Sequence, residues 1–260
     1  MDGDGSDIIS RIKELQQRKI DRGEVVTTSK GTFNFSYMSD ERYKDSPVKG
    51  TPEKLELNRK IIEAAEKTID SLGIENPVIV TVRLLRENDS VELIPTLGIG
   101  GKRISEAEVE LVFDPENPNV SEGLEKWMLN LVPHELNHLT RRQKGQNSLN
   151  LLDVIISEGL AVYQETSDEP HSSISPWGSA LDENQIASEW AKAQPLLDST
   201  EFKMSEWFLS GGGKHPAWTG YSLGSSIIKE YFRNNPDKTM KDVVGLPSKQ
   251  ILKDSGYKVA

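Results

Sequence analysis

Two of the four histidines in this chain stand four residues apart in the stretch LVPHELNHLT, residues 131–140, and a glutamate directly follows the first. On an α-helix, residues four apart are separated by about 6 Å along the axis and about 40° around it. His134 and His138 would therefore project from one face and bind a single zinc ion through their imidazole nitrogens. Glu135 would lie beside the metal, where its carboxylate can take a proton from zinc-bound water. The alternative is an ordinary amphipathic helix that happens to carry two histidines.

A hydrolytic zinc site also needs a third protein ligand and one open position. Nineteen residues separate His138 from Glu158, which stands in the stretch VIISEGLAV. A carboxylate among so many apolar neighbours is costly unless it is paired or binds a cation. The short segment RRQKGQNSLN can turn the chain back and bring Glu158 to the histidines. A solvent-facing glutamate on an amphipathic helix is the alternative.

The elements that must position these residues are strands in the first half of the chain and helices in the second. Apolar patterns predict strands near residues 33–37, 77–85, 90–99 and 108–114, with a flexible loop over 98–107. Helical periodicity predicts helices over 6–20, from Thr51 to Gly73, and then over 148–165, 183–194 and 221–236. Another helix carries the histidines.

The start of the histidine helix carries two signals. Asn119 stands three residues before Glu122, which is the spacing of a capping box. Pro133 directly precedes His134, and a proline inside a helix removes a backbone hydrogen bond at a cost of about 3 kcal/mol. We therefore expect a kink at Pro133, or a new helix that begins with Pro133 in its first turn. Both leave the two histidines on one helical turn.

This segregation of strands and helices predicts an α+β fold and excludes the regular alternation of a parallel α/β protein. We predict three parts. Residues 1–50 form an N-terminal helix and strand extension, and residues 51–145 form an N-terminal α/β lobe that ends in the zinc-binding helix. Residues 146–260 form a helical C-terminal lobe that carries the third ligand.

Bulk composition excludes several classes of protein. A formal net charge of −10 over 260 residues argues against a nucleic-acid partner, and the absence of cysteine excludes disulfides and thiolate metal sites. We find no signal peptide and no stretch of about 18 apolar residues that could span a membrane. The sequence as written therefore predicts a cytoplasmic protein, although a secreted protein whose leader has been removed would read the same. It does not indicate an oligomeric state.

The motifs resemble known metallopeptidases. HExxH followed by nineteen residues and a glutamate is the ligand spacing of the thermolysin-like gluzincins. The stretches PHELNH, LLDVIISEGLA, WTGYSLGSSIIKEYF and GLPSKQIL more closely resemble a bacterial family of predicted zinc-dependent proteases, long catalogued as a domain of unknown function, over roughly residues 50–255. This resemblance implies His134, His138 and Glu158 as zinc ligands and Glu135 as general base. It also implies a zincin-like fold, in which a small mixed β-sheet packs on the HExxH helix and a mainly helical lobe follows.

Further residues are candidates for supporting roles. Thermolysin-like enzymes take an oxyanion-stabilising donor from the segment after the third ligand, which implies Tyr221 or His215 in KHPAWTGYSLG. Tyr221 matches the W-x-G-Y stretch of the similar family, but it would also suit a core position. His215 follows three glycines and suits a mobile lid. Asp153 would be a hydrogen-bond partner for a ligating histidine or a first-turn acid that favours the helix dipole.

Together these residues predict a zinc-dependent hydrolase, in which Glu135 activates a zinc-bound water to cleave the bonds of a peptide or protein substrate. Two alternatives remain at this point. The chain would be a catalytically silent, zinc-bearing module that binds peptides or regulates a partner, or a zinc hydrolase of non-peptide amides. Glu135 favours catalysis, because a structural zinc site needs no such carboxylate and is more often closed by a fourth protein ligand.

Overall fold

The computed structural model describes residues 24–40, 51–86, 97–147, 149–167 and 174–257. The chain forms two compact units, which are Met1–Glu66 with Glu75–Leu129 and Lys67–Ile74 with Asn130–Ala260. The helix predicted over residues 6–20 lies outside the described residues. Division into parts 1–50, 51–145 and 146–260 stays a prediction.

The first unit contains a mixed sheet of five strands. These strands are β1 (Val25–Thr27), β2 (Gly31–Phe35), β3 (Val78–Leu84), β4 (Ile99–Arg103) and β5 (Glu108–Phe113). Their order across the sheet is β1-β2-β3-β5-β4. The central strands β2, β3 and β5 are parallel, and each edge strand is antiparallel to its neighbour. The sheet is therefore mixed, as predicted.

The register of the sheet stacks apolar side chains in rows on one face. Phe33 on β2 pairs with Val80 on β3, which pairs with Val109 on β5, and all three are fully buried. The next row, one pleat further on, is equally buried and consists of Phe35, Val82 and Leu111. Each such side chain contributes about 1.5–3 kcal/mol by leaving water. These rows account for the run of hydrophobic residues that predicted the central strands.

The prediction of a loop over residues 98–107 is wrong. A loop was expected over 98–107, but β4 occupies residues Ile99–Arg103 inside that range and pairs with β5. Residues 87–96, which contain most of the strand expected at 90–99, lie outside the described residues. Glycines at 100 and 101 lower strand propensity, but backbone pairing along an adjacent strand outweighs that preference.

Helices dominate the remainder of the chain. They are α1 (Thr51–Leu72), α2 (Val120–Glu122), α3 (Met128–Gln143), α4 (Leu151–Ser167), α5 (Glu183–Ala193), α6 (Met204–Trp207), α7 (Thr219–Asn234), α8 (Met240–Val243) and α9 (Ser248–Ser255). A π-helical turn, Gly123–Trp127, joins α2 to α3. Asn119 precedes α2 but makes no side-chain capping hydrogen bond, so the predicted capping box is wrong.

These elements confirm the α+β class. Helix α1 ends at Gly73, as expected, and this glycine has a φ of 65°. Across the part of the chain that the structure describes, we find no helix with both the length and the apolarity needed to cross a bilayer.

Two glycines bring α4 and α7 into backbone contact in the second unit. A Cβ atom on Gly224 of α7 would overlap the carbonyl oxygen of Ile155, and one on Gly159 of α4 would overlap the backbone of Gly224. Neither obstacle is a flexible side chain. The crossing of α4 and α7 therefore depends on the absence of a side chain at both positions.

A buried arginine links α3 to the C-terminal helices. Nη1 of Arg141 donates to the carbonyl oxygens of Val244 and Leu246, both at 3.0 Å, and Nη2 donates to Oγ of Ser248 at 2.9 Å. Burial lowers the pKa of Arg141 to about 10, which leaves it charged at neutral pH. Within the stretch GLPSK, the carbonyl oxygen of Leu246 and the hydroxyl of Ser248 thus bind the end of α3 through Arg141.

We expect Arg141→Met to lower the free energy of unfolding by about 2–4 kcal/mol, because two buried acceptors and one half-buried acceptor would lose their donors. Urea unfolding measures the change. Arg142→Met, at the exposed neighbouring position, is the control and should cost less than about 0.5 kcal/mol. Equal losses in the two variants would contradict this role for Arg141.

Candidate metal centre

Both histidines of the motif lie on one uninterrupted helix. Pro133 is inside α3, which begins five residues earlier at Met128, so the expectation of a new helix at Pro133 is wrong. The rings of His134 and His138 are 4.8 Å apart between centroids. Helix α3 therefore presents the two imidazoles side by side, as the four-residue spacing predicts.

The chain turns sharply between α3 and α4. Gly145 has a φ of 81°, and the N–H of Gln146 donates to the carbonyl oxygen of Arg141 at 3.1 Å. The N–H of Gly145 donates to Arg142 at 2.9 Å, which completes a Schellman motif at the end of α3. The chain then re-enters a helix at α4, and Ser157 contacts His138.

Three potential ligand atoms converge where α4 passes α3. The Nε2 atoms of His134 and His138 are 3.1 Å apart. Oε2 of Glu158 lies 3.2 Å from Nε2 of His134 and 3.3 Å from Nε2 of His138. In a tetrahedral zinc site with bonds of about 2.0–2.1 Å, neighbouring ligand atoms are about 3.3–3.4 Å apart. The three atoms therefore have the spacing of one triangular face of such a site.

Hydrogen bonds on the outer side of each ring direct both Nε2 atoms inwards. Nδ1 of His134 lies 2.8 Å from Oε1 of Glu165, and an ionised carboxylate can only accept, so Nδ1 carries the proton. Nδ1 of His138 lies 3.1 Å from Oγ of Ser157, which can accept in the same way. The lone pairs of both Nε2 atoms then face each other and the Glu158 carboxylate. Three electron-rich atoms this close repel one another unless a cation lies among them, so the donor set suits a divalent metal ion.

The electrostatics of the site favour a cation. Burial opposes the ionised form of Glu158, but His138 and His134 outweigh it and hold the pKa of this carboxyl well below its usual range. Burial lowers the pKa of His134, but hydrogen bonds to Glu158 and Glu165 raise it to about 10 overall. Without a metal ion, a proton on Nε2 of His134 is therefore the positive charge that faces the Glu158 carboxylate. A metal ion would compete with a proton for the same lone pairs.

Glu135 is buried next to this triangle, with 6% of its surface exposed. Within the described part of the chain, its carboxylate makes no hydrogen bond to another side chain. Burial raises the pKa of Glu135, although electrostatic interactions with His138 and His134 oppose that shift. A carboxylate whose pKa moves up towards neutrality is better suited to accept and return a proton.

Tyr221, in the first turn of α7, lies next to the triangle. Its ring is 6.2 Å from that of His134 and 5.7 Å from that of Phe208, between centroids. Trp218, just before α7, has a φ of 59° and is alone among the described non-glycine residues in having a positive φ. A Cβ atom on Gly220 would overlap the Phe208 ring, so this turn also needs a glycine. The turn thereby brings the ring of Tyr221 next to that of His134.

The structure does not bring His215 together with the other predicted site residues. Its Nδ1 atom lies 2.6 Å from Oε2 of Glu189, and its ring lies 3.9 Å from that of Trp207. A role for His215 in a mobile lid stays a prediction. Asp153 occupies the first turn of α4 and accepts a hydrogen bond from the Leu149 N–H at 3.4 Å, which agrees with its first-turn interpretation.

Sequence reasoning missed Glu165, the partner of His134, and Ser157, the partner of His138. A signal for Glu165 was present. It stands seven residues after Glu158, which is two helical turns, and therefore lies on the same face of α4. Ser157 carries no comparable signal, because small polar residues occur at many helix positions.

Comparison with known proteins agrees with this geometry. Residues 60–253 match the sequence model of a family described as "Predicted Zn-dependent protease (DUF2268)". The chain is also 28% identical to the uncharacterized protein YjaZ of Bacillus subtilis (strain 168) over 127 residues, which are 47% of this chain and 48% of that protein. It thus spans about half the length of this curated relative. No solved structure matches the chain. Since the family match covers well over half of its residues, the chain belongs to this family of predicted zinc-dependent proteases.

Proposed function

We propose that this chain is a zinc-dependent peptidase of the gluzincin type, in which Glu135 is the general base. The observation that carries the proposal is the triangle of ligand atoms from His134, His138 and Glu158, with sides of 3.1–3.3 Å. Among the described residues, His134, His138 and Glu158 form the group whose side chains could hold a metal ion together. Three protein ligands leave one position of a tetrahedral site open, as catalytic zinc requires.

The residues around the triangle supply the remaining parts of a hydrolytic mechanism. Zinc, when bound, supplies Lewis acidity, which polarises a carbonyl and makes water a stronger acid at neutral pH. Glu135 accepts a proton from the attacking water as the new bond to the carbonyl carbon forms. As the C–N bond breaks, Glu135 returns that proton to the leaving amine nitrogen. The starting carboxylate is regenerated, so no further proton donor is needed.

We assign to Tyr221 the stabilisation of the negative charge that develops on the carbonyl oxygen. Its ring lies beside His134, and its hydroxyl can donate a hydrogen bond to a substrate atom at the same centre. Removal of one such donor typically lowers kcat by about 10²–10³-fold in other hydrolases. Tyr221 therefore assists the reaction, while Glu135 carries out the proton transfer.

The test combines metal analysis with cleavage of a peptide library. We expect about one zinc ion per chain, loss of cleavage with a zinc chelator, and recovery on adding zinc. Glu158→Gln should weaken zinc binding by more than about 100-fold. Loss of an outer hydrogen-bond partner alone weakens it by about 10–100-fold, and Glu158 is itself a ligand in the proposed site. Asp153→Asn, on the same helix but outside the triangle, is the control and should keep its zinc.

Two outcomes would contradict the proposal in different ways. If Glu158→Gln binds zinc as tightly as the wild type, the ligand assignment is wrong. If the zinc-loaded wild type cleaves no member of the library, the chain is not a peptidase. That second result would favour the silent peptide-binding module.

A further inference from the structure

Glu165 is a buried carboxylate that the hydrolytic mechanism does not use. It lies on α4, seven residues after Glu158, and 2% of its surface is exposed. Its Oε1 atom accepts from Nδ1 of His134 at 2.8 Å and from Nε1 of Trp177 at 2.9 Å. Its Oε2 atom lies 3.4 Å from Nδ2 of Asn130. Three N–H donors from different parts of the second unit therefore meet at one carboxylate.

This carboxylate determines how His134 can bind a metal ion. Because Glu165 accepts at Nδ1, the proton of the neutral ring is held there and the lone pair is held at Nε2. Nε2 is the atom that faces His138 and Glu158. A negative charge on the far side of the ring also makes Nε2 a stronger electron donor. Glu165 thus acts on the three ligand atoms through its hydrogen bond to His134.

Trp177 holds the carboxylate in the required orientation. It lies in the 3₁₀ turn Pro176–Ser179 and is almost fully buried. Oγ of Ser222 on α7 lies 3.4 Å from the carbonyl oxygen of Trp177 and accepts from the N–H of Ala180 at 3.1 Å. A single hydroxyl on α7 thus contacts the turn on both sides. Rotation of the Glu165 carboxylate would break its hydrogen bond to the indole of Trp177.

We propose that Glu165 is a positioning residue, which fixes His134 in its metal-binding tautomer and is itself oriented by Trp177. This inference rests on the proposed zinc centre, but it assigns a function to two residues that this centre does not contain. Trp177, which would otherwise only fill the core, becomes part of the support of a ligand.

The test compares two buried glutamates that each bind a histidine. Glu165→Gln removes the charge next to His134 and should weaken zinc binding by about 10–100-fold. Glu189→Gln is the matched control, because Glu189 is 4% exposed and accepts from Nδ1 of His215 at 2.6 Å, outside the metal triangle. We expect its zinc affinity to stay within about twofold of wild type. Competition with a chelator, at fixed pH, measures both dissociation constants.

A spectroscopic measurement separates positioning from general destabilisation. In the zinc-loaded protein, labelled with ¹⁵N-histidine, the Nδ1–H proton of each carboxylate-bonded ring should resonate far downfield. Glu165→Gln should move the His134 signal upfield and leave that of His215 in place, and Glu189→Gln should do the reverse. Trp177→Phe keeps an aromatic ring but removes its N–H, and it should weaken zinc binding by about threefold or more.

The outcomes distinguish this inference from the proposed function. A wild-type protein that binds no zinc would overturn the proposed function itself. Tight zinc binding by the wild type, together with unchanged affinity and an unmoved His134 signal in Glu165→Gln, would overturn only the positioning role. If Glu165→Gln does not fold, Trp177→Phe decides, and wild-type zinc affinity in that variant counts against the inference.

Discussion

Replacing Glu135 by glutamine is expected to lower the kcat of peptide cleavage by about 10²–10⁴-fold while zinc stays bound. This loss corresponds to about 3–5 kcal/mol of transition-state stabilisation. Glutamine has nearly the same shape as glutamate, but its amide cannot accept the proton of the attacking water. The three ligand atoms come from other residues, so the variant keeps them all. Steady-state kinetics on a cleaved library peptide, with zinc measured on the same sample, check both expectations.

Glu135→Asp provides a graded control, because it retains a carboxylate but withdraws it by one methylene group. Its kcat should fall between those of the wild type and Glu135→Gln. Two results would contradict the role of general base. Wild-type turnover by zinc-loaded Glu135→Gln would show that another group accepts the proton. Loss of zinc from Glu135→Gln would instead indicate that Glu135 is a ligand.

Replacing Gly224 by alanine is expected to lower the free energy of unfolding by about 3 kcal/mol, near the upper end for overpacking. The new Cβ atom would overlap the Ile155 carbonyl and lie 2.8 Å from the Cα atom of Gly159. Both obstacles belong to the backbone of α4, so the two helices must separate. Denaturant unfolding measures the change in stability. Since Glu158 directly precedes Gly159, we also expect weaker zinc binding.

Gly245→Ala is the matched control. The Cβ atom there would lie 3.2 Å from Cβ of Lys144, a contact that a shift of a few tenths of an ångström relieves, and Gly245 does not have a positive φ. Its stability should stay within about 0.5 kcal/mol of wild type. If Gly224→Ala and Gly245→Ala behaved alike, the close crossing of α4 and α7 would not be needed for stability.

The parts of the fold that sequence reasoning predicted well depend on local periodicity. The apolar run from Val78 to Leu84 carries its own pattern and can be recognised without a distant partner. The same holds for the helices α1, α4, α5 and α7. Strand β4 was not predicted, because its glycines favour a loop and only pairing with β5 makes it a strand. Asn119 fits the capping-box pattern but does not cap, because its backbone has a φ of −104° and a ψ of 8°, outside the extended region that capping residues adopt.

The candidate metal ligands were predictable for a similar reason. His134 and His138 share one helix turn, so their spacing fixes their geometry. Glu158 required the additional inference that a charge among apolar neighbours needs a partner. Trp177 could not have been assigned to the site, because its contact with Glu165 depends on how the 3₁₀ turn folds against α4 and α7. Tertiary contacts of this kind leave no periodic signal.

The left-handed backbone of Trp218 is a strain that the indole itself offsets. A left-handed conformation costs a bulky residue about 1–2 kcal/mol, and glycine would recover this at an entropic cost of about 0.5–1 kcal/mol. Glycine would also remove the half-buried indole, and truncation of a fully buried tryptophan costs about 3–5 kcal/mol. Half of that loss already cancels the net gain from relieved strain, so laboratory evolution towards higher melting temperatures should leave Trp218 unchanged.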